Sequence, residues 1–146
     1  MRRGYAFSGT WTVDAPMSTV QEVLVDVEHY PEWWPQVRAV ASLGADDARV
    51  LCRSVLPYTL DLHVHAVRRE PSRLEVAIAG DLDGMASWWL TDLGRRTRLD
   101  FAQEVTVGGW LAALSPVVRQ ILRWNHARMM AGCMEGLRDR VVSRRA

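Results

Sequence analysis

The chain has 146 residues, 49% hydrophobic and 24% charged, with a formal net charge of +1. That length and composition fit one globular domain with a sizeable core, expected to span residues 1–146. Near-neutral charge excludes bulk attraction to nucleic acid, and no apolar run approaches the roughly 18 residues that a membrane span needs.

The start, Met1-Arg2-Arg3-Gly4-Tyr5, is basic, but no apolar stretch of secretory type follows it. Cys52 and Cys133 match no metal spacing and read as small buried hydrophobes in a reducing cytoplasm, the expected location. Residues 5–13 alternate large apolar with small or polar side chains, the pattern of a half-buried strand. Pro16 and Ser18 then open a helix, with Ser18 and Gln21 at capping-box spacing. Val20, Val23, Leu24 and Val27 form its apolar stripe. Trp33 and Trp34, bracketed by Pro31 and Pro35, follow as a rigid aromatic corner suited to walling a core or a pocket.

From residue 37 to 107 the period switches to two. Strands are predicted near 37–43, 48–56, 58–69, 73–79, 84–91 and 96–107, separated by short turn signals such as Glu70-Pro71-Ser72 and Asp92-Leu93-Gly94. Six such runs make an antiparallel meander. Leu60, Leu62, Val64 and Ala66 share one face of their strand, while Asp61, His63 and His65 take the other. A loop, Gly108 to Leu114, leads into Ser115-Pro116, a serine N-cap with proline at the first helical position. The helix it opens runs to about residue 142, about 40 Å at 1.5 Å per residue. Its apolar stripe passes through Val118, Ile121, Leu122, Met129, Cys133 and Leu137. Burying that stripe together with one sheet face requires the sheet to curve around the helix. Such curvature leaves a space that side chains fill only in part.

This order resembles the helix-grip fold of the START, Bet v 1-like and polyketide cyclase superfamily. The residues that carry the match are Val13, Ala15, Pro16, Val23, Asp26, Tyr30, Pro31, Trp34 and Pro35. Leu122-Arg123-Trp124-Asn125-His126 also looks like bacterial members of the polyketide cyclase/dehydrase type. The resemblance covers essentially the whole chain. It implies an α+β class: a curved seven-stranded antiparallel sheet around a long C-terminal helix, with two short helices after strand 1. It also implies a cavity whose guests, across the superfamily, include lipids, sterols, quinones and polyketides. Fold alone does not choose among them.

Asn125 and His126 are the sharpest polar features on the core-facing side of the last helix. Buried polar groups need partners. Either they meet a ligand carbonyl or hydroxyl, with His126 shuttling a proton, or they bond to the Trp-Trp corner or to sheet backbone. Gly132 and Gly136, on the Asn125 side, either admit a close neighbour or leave cavity volume. Trp34, Trp110, Leu122, Met129, Phe101 and Gln103 complete the candidate ligand-binding set, with Trp110 in an apolar loop placed to gate a hydrophobic guest. Ser54 and Cys52 fall on faces that can line the same cavity. His63 and His65 stand at i, i+2, but a zinc site needs three or four protein ligands and no third is evident. No metal or cofactor is expected.

Three functions compete. The first is a binder of a hydrophobic small molecule such as a lipid, quinone or polyketide-like compound. The second is an aromatase/cyclase or dehydratase, with His126 as first catalytic candidate and Tyr58 as a distant second. The third is a protein-interaction module that presents an arginine-bearing helix, notably Arg119 and Arg123, to a partner such as a ribosome or a chaperone. The sequence leaves the oligomeric state open.

Overall fold

Each turn predicted in the middle of the chain joins two strands that pair side by side. A computed structural model describes residues 3–53, 59–107 and 117–145. Its strands are β1 (Arg3–Val13), β2 (Val37–Ser42), β3 (Asp47–Cys52), β4 (Leu60–Glu70), β5 (Arg73–Gly80), β6 (Asp83–Asp92) and β7 (Thr97–Val107). Helix α1 (Met17–Val25) and a 3-10 helix (Val27–Glu32) follow β1, and α2 (Val117–Arg145) comes last. One antiparallel sheet takes the order β1-β7-β6-β5-β4-β3-β2. The first strand therefore closes against the last, from Arg3 opposite Val107 to Val13 opposite Thr97.

Alternation sorts the two faces. Tyr5, Val13, Leu62, Ile78, Trp88, Leu99, Phe101 and Val105 are buried on the concave side. On the convex side Thr10 donates to Asp100 at 2.7 Å, and Arg49 pairs with Asp61. Trp88 and Trp89 divide as adjacent strand residues must: Trp88 points in, while Trp89 is exposed beneath the Arg73 guanidinium.

Helix α2 lies over the concave face and buries Leu122, Asn125, Met130, Cys133, Met134, Leu137 and Val141. Ile121, expected on this stripe, is instead 36% exposed. It sits at the solvent edge of the stripe, one turn before Asn125. The Ser18/Gln21 capping box does not form. Helix α1 starts at Met17, with Pro16 at the cap position and no side-chain cap, so Ser18 falls inside the first turn. The predicted strands over 48–56 and 58–69 are observed as Asp47–Cys52 and Leu60–Glu70. Residues 54–58 and the Ser115-Pro116 start signal lie outside the described residues, as does the Val118 side chain.

The aromatic corner clamps α2. Trp34 Nε1 donates to the Met129 carbonyl at 2.9 Å. A Cβ placed on Gly136 would lie 1.6 Å from the Trp33 carbonyl oxygen, and one on Gly132 would lie 2.0 Å from Gln36 Oε1. The two glycines thus admit a close neighbour. Trp33 and Trp34 stack with ring centroids 5.8 Å apart, and Tyr30 packs edge-on against Trp33 while donating to the Leu24 carbonyl.

In an exposed helix, Gly→Ala stabilises by about 1 kcal/mol. Gly136→Ala should do the reverse and lose about 1–3 kcal/mol in denaturant unfolding, because rigid backbone must move. Gly132→Ala should lose less, since the Gln36 side chain can swing away.

Candidate functional site

Between sheet and helix lies a cavity of about 340 Å³. Its walls are the inward residues of successive strands, among them Val50 and Cys52 of β3, Leu62 and Val64 of β4, Val76 and Ile78 of β5, and Phe101 and Gln103 of β7. Leu24, Trp34 and Met129 close it from the helical side. A second space of about 90 Å³ reaches under the N-terminal half of α2 and is lined by Tyr5, Phe7, Leu122, Asn125 and His126, among others. Trp34, Cys52, Leu62, Phe101, Gln103 and Met129 border both spaces, so the two are chambers of one interior.

Of the residues singled out in the sequence, Trp34, Phe101, Gln103, Leu122, Asn125, His126 and Met129 all border this interior. Trp110, Tyr58 and Ser54 lie outside the described residues. His126 meets a side chain of the sheet rather than its backbone. His126 Nε2 and Gln103 Oε1 stand 3.2 Å apart, and Asn125 Nδ2 points to the Met129 sulfur at 3.9 Å. The corner reaches Met129 through Trp34 instead.

His126 is also stacked. Its ring lies 4.2 Å from Phe7, 12° from parallel, and 5.7 Å from Phe101. Phe7 is one of the cavity residues that sequence reading missed. Its alternating strand marked it as apolar, but its contact depends on pairing β1 with β7, which puts Phe7 opposite Gln103. Burial against these rings lowers the His126 pKa to about 4, so the imidazole is neutral at pH 7. With Gln103 Oε1 accepting, the proton resides on Nε2 and Nδ1 remains an acceptor. Cys52 is kept protonated by burial, with a smaller push from Asp81, its pKa rising to about 11. Burial likewise raises the Cys133 thiol and the Tyr30 phenol. The chamber walls carry hydrogen-bonding groups but little charge.

Charged residues also border the larger chamber, among them Glu28, Asp46 and Arg69. A register shift between Ala66 and Arg68 turns Arg69 opposite buried Leu74. Its guanidinium then holds the β2–β3 turn through Asp46 and the Ala45 carbonyl, each at 2.6 Å. His63 and His65 face solvent, and both contact Asp47 Oδ1, at 2.8 and 3.0 Å. Those contacts hold the Asp47 carboxyl below its ordinary range. Among the described residues no group of three or more His, Cys, Asp or Glu is arranged to hold a metal ion.

Residues 6–142 match the family model described as polyketide cyclase/dehydrase and lipid transport. No curated protein is significantly similar in sequence. Among solved structures, the Zhui aromatase/cyclase from Streptomyces sp. R1128 superposes with a TM-score of 0.82 at 17% identity, covering 99% of this chain and 97% of that one. A START superfamily protein from Mycobacterium smegmatis gives 0.79 at 18% identity, over 94% and 97%. A conserved protein from Geobacillus kaustophilus gives 0.80 at 13% identity, over 98% and 96%. At these identities the likeness is one of fold.

The buried histidine has a thermodynamic signature. In the unfolded chain His126 takes up a proton below about pH 6.5, whereas in the fold it does so only near pH 4. Between those values the unfolded state binds more protons, so stability is full above pH 6.5 and falls as the pH drops towards 4. In urea unfolding across pH 7 to 4, His126→Gln should lose less stability than the unmodified protein. Parallel curves for the two proteins would contradict the assigned shift.

Proposed function

We propose that this chain, which belongs to the polyketide cyclase/dehydrase and lipid transport family, binds one hydrophobic small molecule in the interior between its sheet and α2. The observation that carries this reading is the cavity of about 340 Å³, walled by aliphatic and aromatic side chains. Its size falls at the lower end of the roughly 300–1,000 Å³ common for small-molecule pockets. Apolar burial supplies the driving force, about 25 cal/mol per Å² removed from water. The Gln103–His126 pair and Asn125 supply the few polar contacts that orient a guest. A neutral, largely apolar compound with one or two oxygen functions, of lipid, quinone or polyketide type, suits such walls. An ionised group suits only the wall near Arg69 and Asp46. Among the described residues no helix is long and apolar enough to cross a membrane.

The enzymatic reading, cyclisation or dehydration of a polyketide chain, asks for an acid and a base inside the cavity. With a pKa near 4, His126 carries almost no proton to donate at pH 7. As a base it is weak. Binding needs neither role, and so accounts for these residues more simply.

The test uses N-phenyl-1-naphthylamine, an apolar fluorophore. The protein should take it up saturably with one site per chain. Ala86→Phe places a ring in the chamber from the middle of β6, where Ala86 borders both buried clusters. It should weaken uptake by about tenfold or more, equivalent to about 1.4 kcal/mol, while the circular dichroism of the fold persists. Unchanged affinity in a folded Ala86→Phe protein would overturn the assignment of this cavity as the site.

A further inference from the structure

The side of α2 that faces away from the cavity has an unusual composition. Trp124 is 60% exposed, Val142 63% and Ile121 36%. They fall on one helical face with Arg128, Ala131, Glu135 and Arg138, because positions three, four and seven apart return to the same side. Most arginines of the sheet are paired: Arg49 with Asp61, Arg69 with Asp46, Arg73 with Glu75 and Arg98 with Asp100. Among the described residues, Arg128 and Glu135 have no ion-pair partner. An exposed tryptophan beside two unpartnered opposite charges marks a contact surface.

The order of residues along this face says what covers it. Ala131 stands at its middle, a small side chain that lets a second helix approach closely. Arg128 and Glu135 lie equally far on either side of a point just past Ala131, and so do Ile121 and Val142. A helix laid antiparallel across that point and carrying the same residues would bring its Glu135 to Arg128, its Arg128 to Glu135 and its Val142 to Ile121. Trp124 would lie over the other helix's Arg138 and Asp139, where a guanidinium can cover the indole. Self-complementarity about a point is what a twofold contact requires. An anionic bilayer fits the face less well, because Glu135 and Asp139 stand among its arginines.

We propose that the outward face of α2 is a homodimer interface, two copies pairing their last helices antiparallel beside Ala131 through reciprocal Arg128–Glu135 ion pairs. The contact from Ile121 to Val142 runs about 30 Å at 1.5 Å per residue. One helix pair of that length lies at the small end of specific interfaces, roughly 1,200 Å² in total, so association in the micromolar range is expected. The interface faces away from the cavity wall formed by Leu122, Asn125 and Met129, so dimerisation leaves the chamber intact.

Sedimentation equilibrium from about 1 to 200 μM tests this, a range that brackets micromolar association. The unmodified chain should pass from monomer to dimer. Arg128→Glu and Glu135→Arg should each weaken self-association at least tenfold, and Trp124→Ser should weaken it as well. An equimolar mixture of the two charge-reversed chains should associate again, since each then offers the charge the other lacks. Naphthylamine uptake should be unchanged in all three variants, which separates this test from that of the cavity. A chain that stays monomeric throughout would overturn the proposal. So would a dimer indifferent to both reversals, a mixture that fails to associate, or a monomer captured only by phosphatidylglycerol vesicles.

Discussion

The close seating of the Trp33–Trp34 corner on α2 is the contact on which the rest of the molecule depends. Backbone meets backbone there, because Gly136 offers no Cβ to the Trp33 carbonyl, and Trp34 adds a hydrogen bond to the Met129 carbonyl. The corner is stiffened by its prolines and by the stacking of its own rings. It therefore fixes both the rotation of the long helix and its height above the sheet. From that follow which residues of α2 look inward and how much space remains beneath them. The open sheet, with β1 and β2 at its edges, curves, but curvature alone would not hold a chamber open. A helix free to sink would fill it.

The same geometry sets the character of the interior. Most charged side chains lie on the convex face, the turns and the outer side of α2, where water screens them and most of the sheet arginines find carboxylates; Arg69 and Asp46, which border the chamber, pair with each other. Inside, titratable groups are held in their neutral forms: His126 by burial against phenyl rings, and Cys52, Cys133 and Tyr30 by burial as well. A neutral interior that retains a few hydrogen-bonding groups selects guests by shape and apolar area first and by oxygen placement second.

Much of this was legible in the sequence. Turn residues and strict alternation mark the meander, and the period of the last helix marks Leu122, Asn125, Met129, Cys133 and Leu137 as inward. Those are local signals, and local signals survive folding. What was not legible depends on partners distant in sequence. Phe7 against His126, and Gln103 beside both, exist only once the first strand pairs with the last. Asp47, which meets both His63 and His65, lies on the neighbouring strand rather than their own. Two local readings also failed, for physical reasons. Ile121 lies at the margin of a stripe whose width periodicity does not define. The spacing of Ser18 and Gln21 suggested a capping box, yet Pro16, with φ of −63°, already begins the turn.

Native mass spectrometry of the gently purified protein, followed by titration with a series of apolar compounds of increasing length, tests whether the interior holds a guest. A one-to-one complex is expected, with affinity rising with apolar length and then falling once the guest outgrows a chamber of about 340 Å³. If no compound in the series forms a stoichiometric complex, or if uptake grows without a size limit, the interior between sheet and helix is not a binding site.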